Sequence, residues 1–210
     1  MVNLYTAVGR CEYIESEKSF NIVVGNEARR VSQYERIIWS ISVWGIRTKQ
    51  EIEEKFIHLI KNYSEPNDSI CFDDLFIRLQ TRKLIVSGSG VSGIDSLYNL
   101  LKQLTIIPIR KNMLLFIIAY IDMLIKHKSI TKVNGLLIRP KMTPDEKRIF
   151  NIAKRKKISA DDLYAVISKL ETGAGAGDIE IFEKQRMAVL NSINGLCEKR
   201  MILFDLKGVS

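Results

Sequence analysis

The stretch SQYERIIW, residues 32–39, recurs near the other end of the chain as TPDEKRIF, residues 143–150. The match continues without gaps, so that residues 32–59 lie over residues 143–170. After a longer loop in the second copy, RKLIV at residues 82–86 matches KRMIL at residues 199–203. The matched positions are helix starts and apolar core positions, so an internal repeat sets the fold.

Each copy is predicted to form three helices followed by a strand. A Ser or Thr with an acidic residue three positions later is a capping box, which marks a helix start. Three pairs fit this pattern and a fourth fits it more weakly: Ser32/Glu35, Thr48/Glu51, Thr143/Glu146 and Ser159/Asp162. The third helices are predicted at residues 69–81 and 178–199, each leading into an apolar strand. Trp39 and Phe150 follow an isoleucine at the same offset from the cap, which predicts equivalent core positions.

The order helix, helix, helix, strand resembles the winged-helix variant of the helix-turn-helix. The resemblance implies an α+β, mostly α protein with two winged-helix domains in tandem. The predicted organisation is a β-meander with the first winged-helix domain at residues 1–95, a helical connector at residues 96–139 and a second winged-helix domain at residues 140–210.

The segment before the first copy alternates apolar and polar residues over residues 4–14 and 20–24, with a polar turn between them. This pattern predicts a β-hairpin or a three-stranded meander. With the helix starts that follow, residues 8–88 resemble PqqD-like domains, which hold leader peptides of ribosomally made natural products. The resemblance implies peptide binding by strand addition at the edge of the meander.

Composition favours a cytoplasmic protein without a membrane span. No signal-peptide pattern opens the sequence. The apolar run at residues 113–123 is too short to span a bilayer and carries Asp122, so it is predicted to be a buried connecting helix. The three cysteines are scattered and only two histidines occur, so neither a disulfide framework nor a metal site is predicted.

The net charge of +8 lies in the second half of the chain. Residues 91–210 carry 20 Lys and Arg against 12 Asp and Glu, whereas the two totals cancel over residues 1–90. Such clustering is typical of a protein that contacts phosphate backbones, with a solvated helix face as the alternative. The candidate DNA-contacting residues are Lys147, Arg148, Lys154, Arg155, Lys156, Lys157, Lys184, Gln185 and Arg186.

The predicted third helices argue against base reading. They begin with acidic residues, Asp73 and Asp74 in the first copy and Glu180 and Glu183 in the second. Acids stabilise a helix start but repel phosphate. If DNA is bound, the second copy is therefore expected to supply most of the affinity through phosphate contacts.

The segment GSGVSG, residues 88–93, has the spacing of a dinucleotide fingerprint, and residues 104–108 could form a second strand after it. The acid expected after that strand is absent, and no further strand–helix alternation follows. The glycines are instead predicted to form a mobile wing or a linker, with no cofactor.

Three functions from different classes remain open. The first is a DNA-binding regulator, and the second is a peptide- or protein-binding module. The third, an enzyme or nucleotide binder, is disfavoured because no catalytic constellation is present: the adjacent acids Asp161 and Asp162 would point to different sides of a helix.

Overall fold

A computed structural model describes residues 1–61, 71–109, 141–159, 162–163, 165–166 and 179–208. In these ranges the chain forms eight β-strands in three antiparallel sheets, together with six α-helices. The prediction of a mostly α-helical protein is therefore wrong, and the class is mixed α/β. The predicted connecting helix at residues 113–123 lies outside the described residues.

Four strands come first along the chain, three helices follow, and strands and helices alternate from the fifth strand onward. The strands are β1 (Val2–Ala7), β2 (Arg10–Ile14), β3 (Ser19–Val24), β4 (Glu27–Val31), β5 (Ile85–Gly90), β6 (Leu104–Pro108), β7 (Ile158–Ser159) and β8 (Ile202–Leu206). The helices are α1 (Gln33–Ser42), α2 (Lys49–Ile60), α3 (Phe72–Thr81), α4 (Gly93–Leu101), α5 (Pro144–Arg155) and α6 (Ile179–Glu198).

The predicted helix starts are confirmed. Ser32, Thr48 and Thr143 cap α1, α2 and α5, and each capping box is closed in both directions by the glutamate three residues later. Ser159 accepts a hydrogen bond from the backbone N–H of Asp162 at 3.2 Å. These bonds satisfy backbone donors that have no partner inside the helix.

The turns after α3 and α6 have the same geometry. Lys83 and Arg200 follow these helices in the left-handed region, with φ of 53° and 55°. In each turn a backbone N–H bonds back to the helix, from Leu84 to Leu79 at 2.8 Å and from Met201 to Leu196 at 2.9 Å. This arrangement ends the helix and directs the chain into β5 or β8.

An ion pair recurs in both copies. Arg82 contacts Glu35 at 3.3 Å in the first copy, and Lys199 contacts Glu146 at 2.6 Å in the second. Each acid is the capping-box glutamate, and both glutamates are buried. The repeat therefore extends from the helix starts to the polar contacts that join the first helix to the end of the third.

The prediction of two winged-helix domains in tandem is wrong because strands outside the sequence repeat complete the sheets. β1 pairs with β5 and forms a bridge to Arg47, and β6 lies between β7 and β8. β6 belongs to the segment predicted as a helical connector. After β5 the chain enters α4 instead of returning as a wing hairpin. A repeat search cannot find strands that the repeat does not contain.

The predicted meander is confirmed as the sheet β2-β3-β4. The strand expected over residues 4–14 is divided, because Gly9 has a φ of 83° and separates β1 from β2. A Cβ at Gly9 would lie 2.4 Å from the carbonyl oxygen of Val23. This position therefore requires glycine both for its backbone conformation and for the close approach of β3.

The expectation of a mobile glycine wing is wrong. Gly88 and Gly90 belong to β5, and Gly93 begins α4. A Cβ at Gly88 would lie 2.3 Å from the backbone nitrogen of Leu100 and 2.3 Å from the carbonyl oxygen of Ser96. The glycines therefore let α4 pack directly on its own strand. β5 and β6 lie in different sheets, which is not the arrangement of a dinucleotide-binding unit.

The buried side chains of both copies form one continuous hydrophobic core. Trp39 and Phe150 are 6% and 5% exposed, which confirms their predicted core positions. Hydrogen bonds also join the segment before the first copy to the second copy, since the N–H of Gly9 donates to the carbonyl of Phe204 at 2.8 Å. The N–H of Gly25 also donates to the carboxylate of Asp205. The domain boundaries near residues 95 and 140 stay a prediction.

Candidate nucleic-acid interface

The basic residues of α5 lie on one face of the helix. At 3.6 residues per turn, the four of them span an arc of about 120°. They are Lys147, Arg148, Lys154 and Arg155. Ile149, Phe150 and Ala153 are buried on the other side of the helix. The pattern that forms the core therefore also directs the basic side chains to solvent.

Two further basic residues follow the helix directly in the chain. Lys156 has an extended backbone at the end of α5, and Lys157 precedes β7. Lys147, Lys154, Arg155, Lys156 and Lys157 are exposed, and Arg148 is half-buried. We call this set of six residues the basic surface.

The five exposed cations of the basic surface lie in a stretch of the chain without acidic residues. Residues 147–157 contain no Asp or Glu. Within the described ranges, no ion pair engages the five exposed residues of the set. The ammonium of Lys154 lies 4.5 Å from the ring centroid of Phe150. The pKa of Asp162 is lowered mainly by the hydrogen bond from the Ser159 hydroxyl, and the charge of Lys156 lowers it slightly further. The five exposed cations are therefore available to contact an anionic partner.

The acids of α5 are confined to its first turn, away from the basic end. Glu146 closes the capping box with Thr143 and accepts two bonds from Lys199, at 2.8 and 2.6 Å. Burial alone would raise the pKa of Glu146, but the bonds from Lys199 and Thr143 outweigh it and the pKa is lowered. Glu146 is thus an ionised structural group that holds α5 against the end of α6.

The three candidate residues on α6 differ in their surroundings. Lys184 is exposed and Gln185 is half-buried. Arg186 pairs with Glu183 at 3.3 Å and lies 4.1 Å from the ring centroid of Tyr98 on α4. The guanidinium of Arg186 is therefore engaged between two helices, and the structure does not join it to the basic surface.

The start of α3 carries negative charge. Asp73 and Asp74 occupy its first turn, and Asp73 pairs with Lys49 at 2.6 Å. That bond is the main cause of the raised pKa of Lys49. Ile77 follows on α3 and is 55% exposed. A helix that presents acids and an exposed isoleucine has few groups that recognise base edges.

A second group of basic side chains is not apparent from the sequence. Arg47, Lys55, His58 and Arg200 line one cavity of about 380 Å³. They come from α2, from the segment before it and from the turn after α6. No linear spacing joins these positions, so only the fold brings them together.

Other classes of site find no support in the described part of the chain. No cluster of three potential metal ligands occurs there. Cys11, Cys71 and Cys197 are free thiols. In the same ranges, no helix has both the length and the apolar character needed to cross a lipid bilayer.

Comparison with known proteins adds no relative, since no family model, no curated protein and no solved structure matches this chain. The PqqD-like resemblance of residues 8–88 therefore stays a prediction.

Proposed function

We propose that this protein binds nucleic acid, with duplex DNA as the partner to test first, and that its basic surface contacts phosphate groups. The observation that carries the proposal is the set of six basic residues on α5 and directly after it, four of them on one face of the helix, with no acid among residues 147–157. We further propose that the protein regulates transcription and acts in the cytoplasm. Three free cysteines fit such a reducing compartment.

The simpler explanation for the basic surface is a solvated helix face. Lys154 and Arg155 lie in the last turn of α5, where positive charge stabilises the helix. That effect does not account for Lys147 and Arg148 near the other end, or for Lys156 and Lys157 beyond the helix. On solvated helix faces acidic and basic residues are usually mixed, whereas all the charged residues of this face are basic. The uniform sign favours a polyanionic partner.

Binding of this kind is expected to depend weakly on base sequence. Phosphate contacts fix a protein on the duplex but carry no direct sequence information. The acids at the start of α3 make that helix a poor reader of bases. We therefore expect similar affinities for unrelated duplexes of equal length.

Fluorescence anisotropy with two unrelated 20-base-pair duplexes tests the proposal. Replacing Lys154, Arg155, Lys156 and Lys157 together by Gln is expected to weaken binding to both duplexes by at least about tenfold at 0.1 M salt, because up to four phosphate contacts are lost.

A matched control carries the same change in net charge at four exposed lysines elsewhere, Lys18, Lys61, Lys83 and Lys102, also replaced by Gln. This control is expected to bind nearly as the unchanged protein does. Equal loss in both variants would attribute the binding to net charge alone and would contradict the proposal.

Peptide binding at the edge of the meander is the second candidate function. β2 is an edge strand, and the side chains of Arg10, Cys11, Glu12 and Tyr13 are exposed. Tyr13 is 55% exposed and packs on Phe20 with ring centroids 4.9 Å apart. An exposed edge with an aromatic side chain can accept an extended peptide as a fourth strand.

The register indicates how this edge can be blocked. β3 and β4 join through a two-residue turn, which fixes the residues of β3 that form backbone hydrogen bonds with β4. The alternate residues of β3, among them Asn21, therefore bond to β2, and Asn21 is paired with Glu12. Because Cys11 is the neighbour of Glu12, its N–H points away from β3. Proline at this position removes that donor without removing a bond of the sheet. Peptides selected from a random 12-residue display library should lose binding to the Cys11→Pro variant. Unchanged binding would exclude strand addition at β2.

A further inference from the structure

The cavity beside Trp44 is open on one side and combines a cationic wall with an apolar wall. Its volume is about 380 Å³, within the range of small-molecule sites. Arg47, Lys55, His58 and Arg200 supply the polar wall, together with the hydroxyl of Ser40. Ile41, Trp44 and Leu59 supply the apolar wall, and none of the lining residues in the described part of the chain is acidic.

The arginine at the base of the cavity is held in place by the fold. The backbone N–H and C=O of Arg47 bond to Tyr5 of β1 at 2.9 and 2.7 Å. Its Nε is enclosed and has no hydrogen-bond partner within the described part of the chain. Arg47 is thus a positioned cation whose hydrogen-bonding capacity the protein does not use fully.

The other cations reach the cavity from separate segments. Arg200 is fixed by the left-handed turn after α6 and lies 5.7 Å from the Trp44 ring centroid. Lys55 is an exposed residue of α2. The cavity therefore joins the two copies, since Arg200 comes from the second copy and the other lining residues in the described ranges precede residue 60.

Glu51, an acid close to two of these cations, has another role. The pKa of Glu51 is lowered first by its bond from the backbone of Thr48, and further by the charges of Arg47 and Lys55. Its carboxylate closes the capping box of α2, with Oε2 2.7 Å from the backbone nitrogen of Thr48. Glu51 therefore balances only part of the positive charge of Arg47, Lys55 and Arg200.

We propose that this cavity binds a small organic phosphate. The phosphate group would pair with Arg47, Lys55 and Arg200, and the organic part would lie against Ile41, Trp44 and Leu59. A phosphate monoester near neutral pH carries more than one negative charge and three strong acceptor oxygens. Three cations suit such a group better than a single carboxylate, and guanidinium groups match its geometry. The proposal does not rest on nucleic-acid binding, because none of these residues belongs to the basic surface.

Titration calorimetry with adenosine monophosphate, glucose 6-phosphate, inorganic phosphate and adenosine tests the site. Saturable binding is expected for the two organic phosphates, weaker binding for inorganic phosphate and none for adenosine. If adenosine binds as tightly as its monophosphate, or if none of the phosphates binds up to 10 mM (roughly the weakest affinity worth calling a site), the proposal is overturned. If inorganic phosphate and both esters bind with equal affinity, the apolar wall does not contribute to binding and that part of the proposal is wrong.

Variants locate the binding. Lys55→Gln and Arg200→Gln should each weaken the tighter organic phosphate by about tenfold or more, since each removes a charge-assisted contact. Lys102→Gln makes the same kind of change at an exposed residue outside the cavity and should leave the affinity unchanged. Lys55 is exposed, so its replacement is not expected to disturb folding. If Lys55→Gln and Lys102→Gln bind the organic phosphate with equal affinity, the ligand binds elsewhere and the proposal is wrong.

Discussion

Replacement of Gly88 by Ala tests how β5 and α4 pack. The new Cβ would lie 2.3 Å from both the backbone nitrogen of Leu100 and the carbonyl oxygen of Ser96. Both atoms belong to the backbone of α4, so rotation of a side chain cannot relieve the clash. The helix must move away from its strand, which places the cost at or above the upper end of the usual ~1–3 kcal/mol for overpacking. A loss of about 3 kcal/mol would lower Tm by roughly 6–12 °C in a protein of this size.

Gly93→Ala is the matched control for this change. Gly93 is the first residue of α4, and a Cβ there would meet no atom within 4 Å. Alanine also restricts the unfolded chain, so stability should stay constant or rise by about 0.4–1 kcal/mol. Thermal unfolding followed by circular dichroism measures both variants. Equal Tm values for Gly88→Ala and the unchanged protein would refute the close packing of β5 on α4.

Three further predictions concern the core and its ionisable groups. Trp39→Ala and Phe150→Ala should each reduce the free energy of unfolding by about 3–5 kcal/mol in denaturant titrations, because each removes a large buried aromatic side chain. The pKa of Glu146 is lowered in the folded protein, so its contribution to stability should be present above its unfolded pKa and lost as the pH falls through its folded pKa. In the Glu146→Gln variant the free energy of unfolding should therefore fall less steeply as the pH is lowered below neutrality. An unchanged fall would show that the pair with Lys199 adds no pH dependence. Burial raises the pKa of Cys197 to about 12, so a thiol reagent at pH 8 should modify only the two exposed cysteines until the protein is unfolded.

The local elements could be predicted from the sequence, whereas the class of the fold could not. A capping box is a contact between residues three positions apart, so Ser32, Thr48 and Thr143 were identifiable from spacing alone. The sheets depend on distant pairs, such as Leu4 with Gly88 and Ile106 with Phe204. No local pattern states that β1 and β6 complete sheets begun by the repeats, and this is why a mostly α-helical protein was expected.

The candidate sites differ in the same way. The basic surface lies within the eleven residues 147–157, on one helix and the residues directly after it, so the local sequence is enough to find it. The cationic cavity joins Arg47 to Arg200, two residues brought together only when the copies pack against each other. The glycines at residues 88–93 suggested mobility because their packing partner, α4, was not apparent from local composition.

The salt dependence of DNA binding tests the role of the basic surface most directly. The logarithm of the association constant falls linearly with the logarithm of salt concentration, with a slope of about −0.9 for each phosphate contact on duplex DNA. Loss of four contacts in the Gln variant of residues 154–157 should therefore make the slope less steep by up to about 3.6. The control with four lysines replaced elsewhere should keep the slope of the unchanged protein. A slope that is the same in all three proteins, or no measurable binding of the unchanged protein at 50 mM salt (about the low end of the usual range), would contradict nucleic-acid binding by this surface.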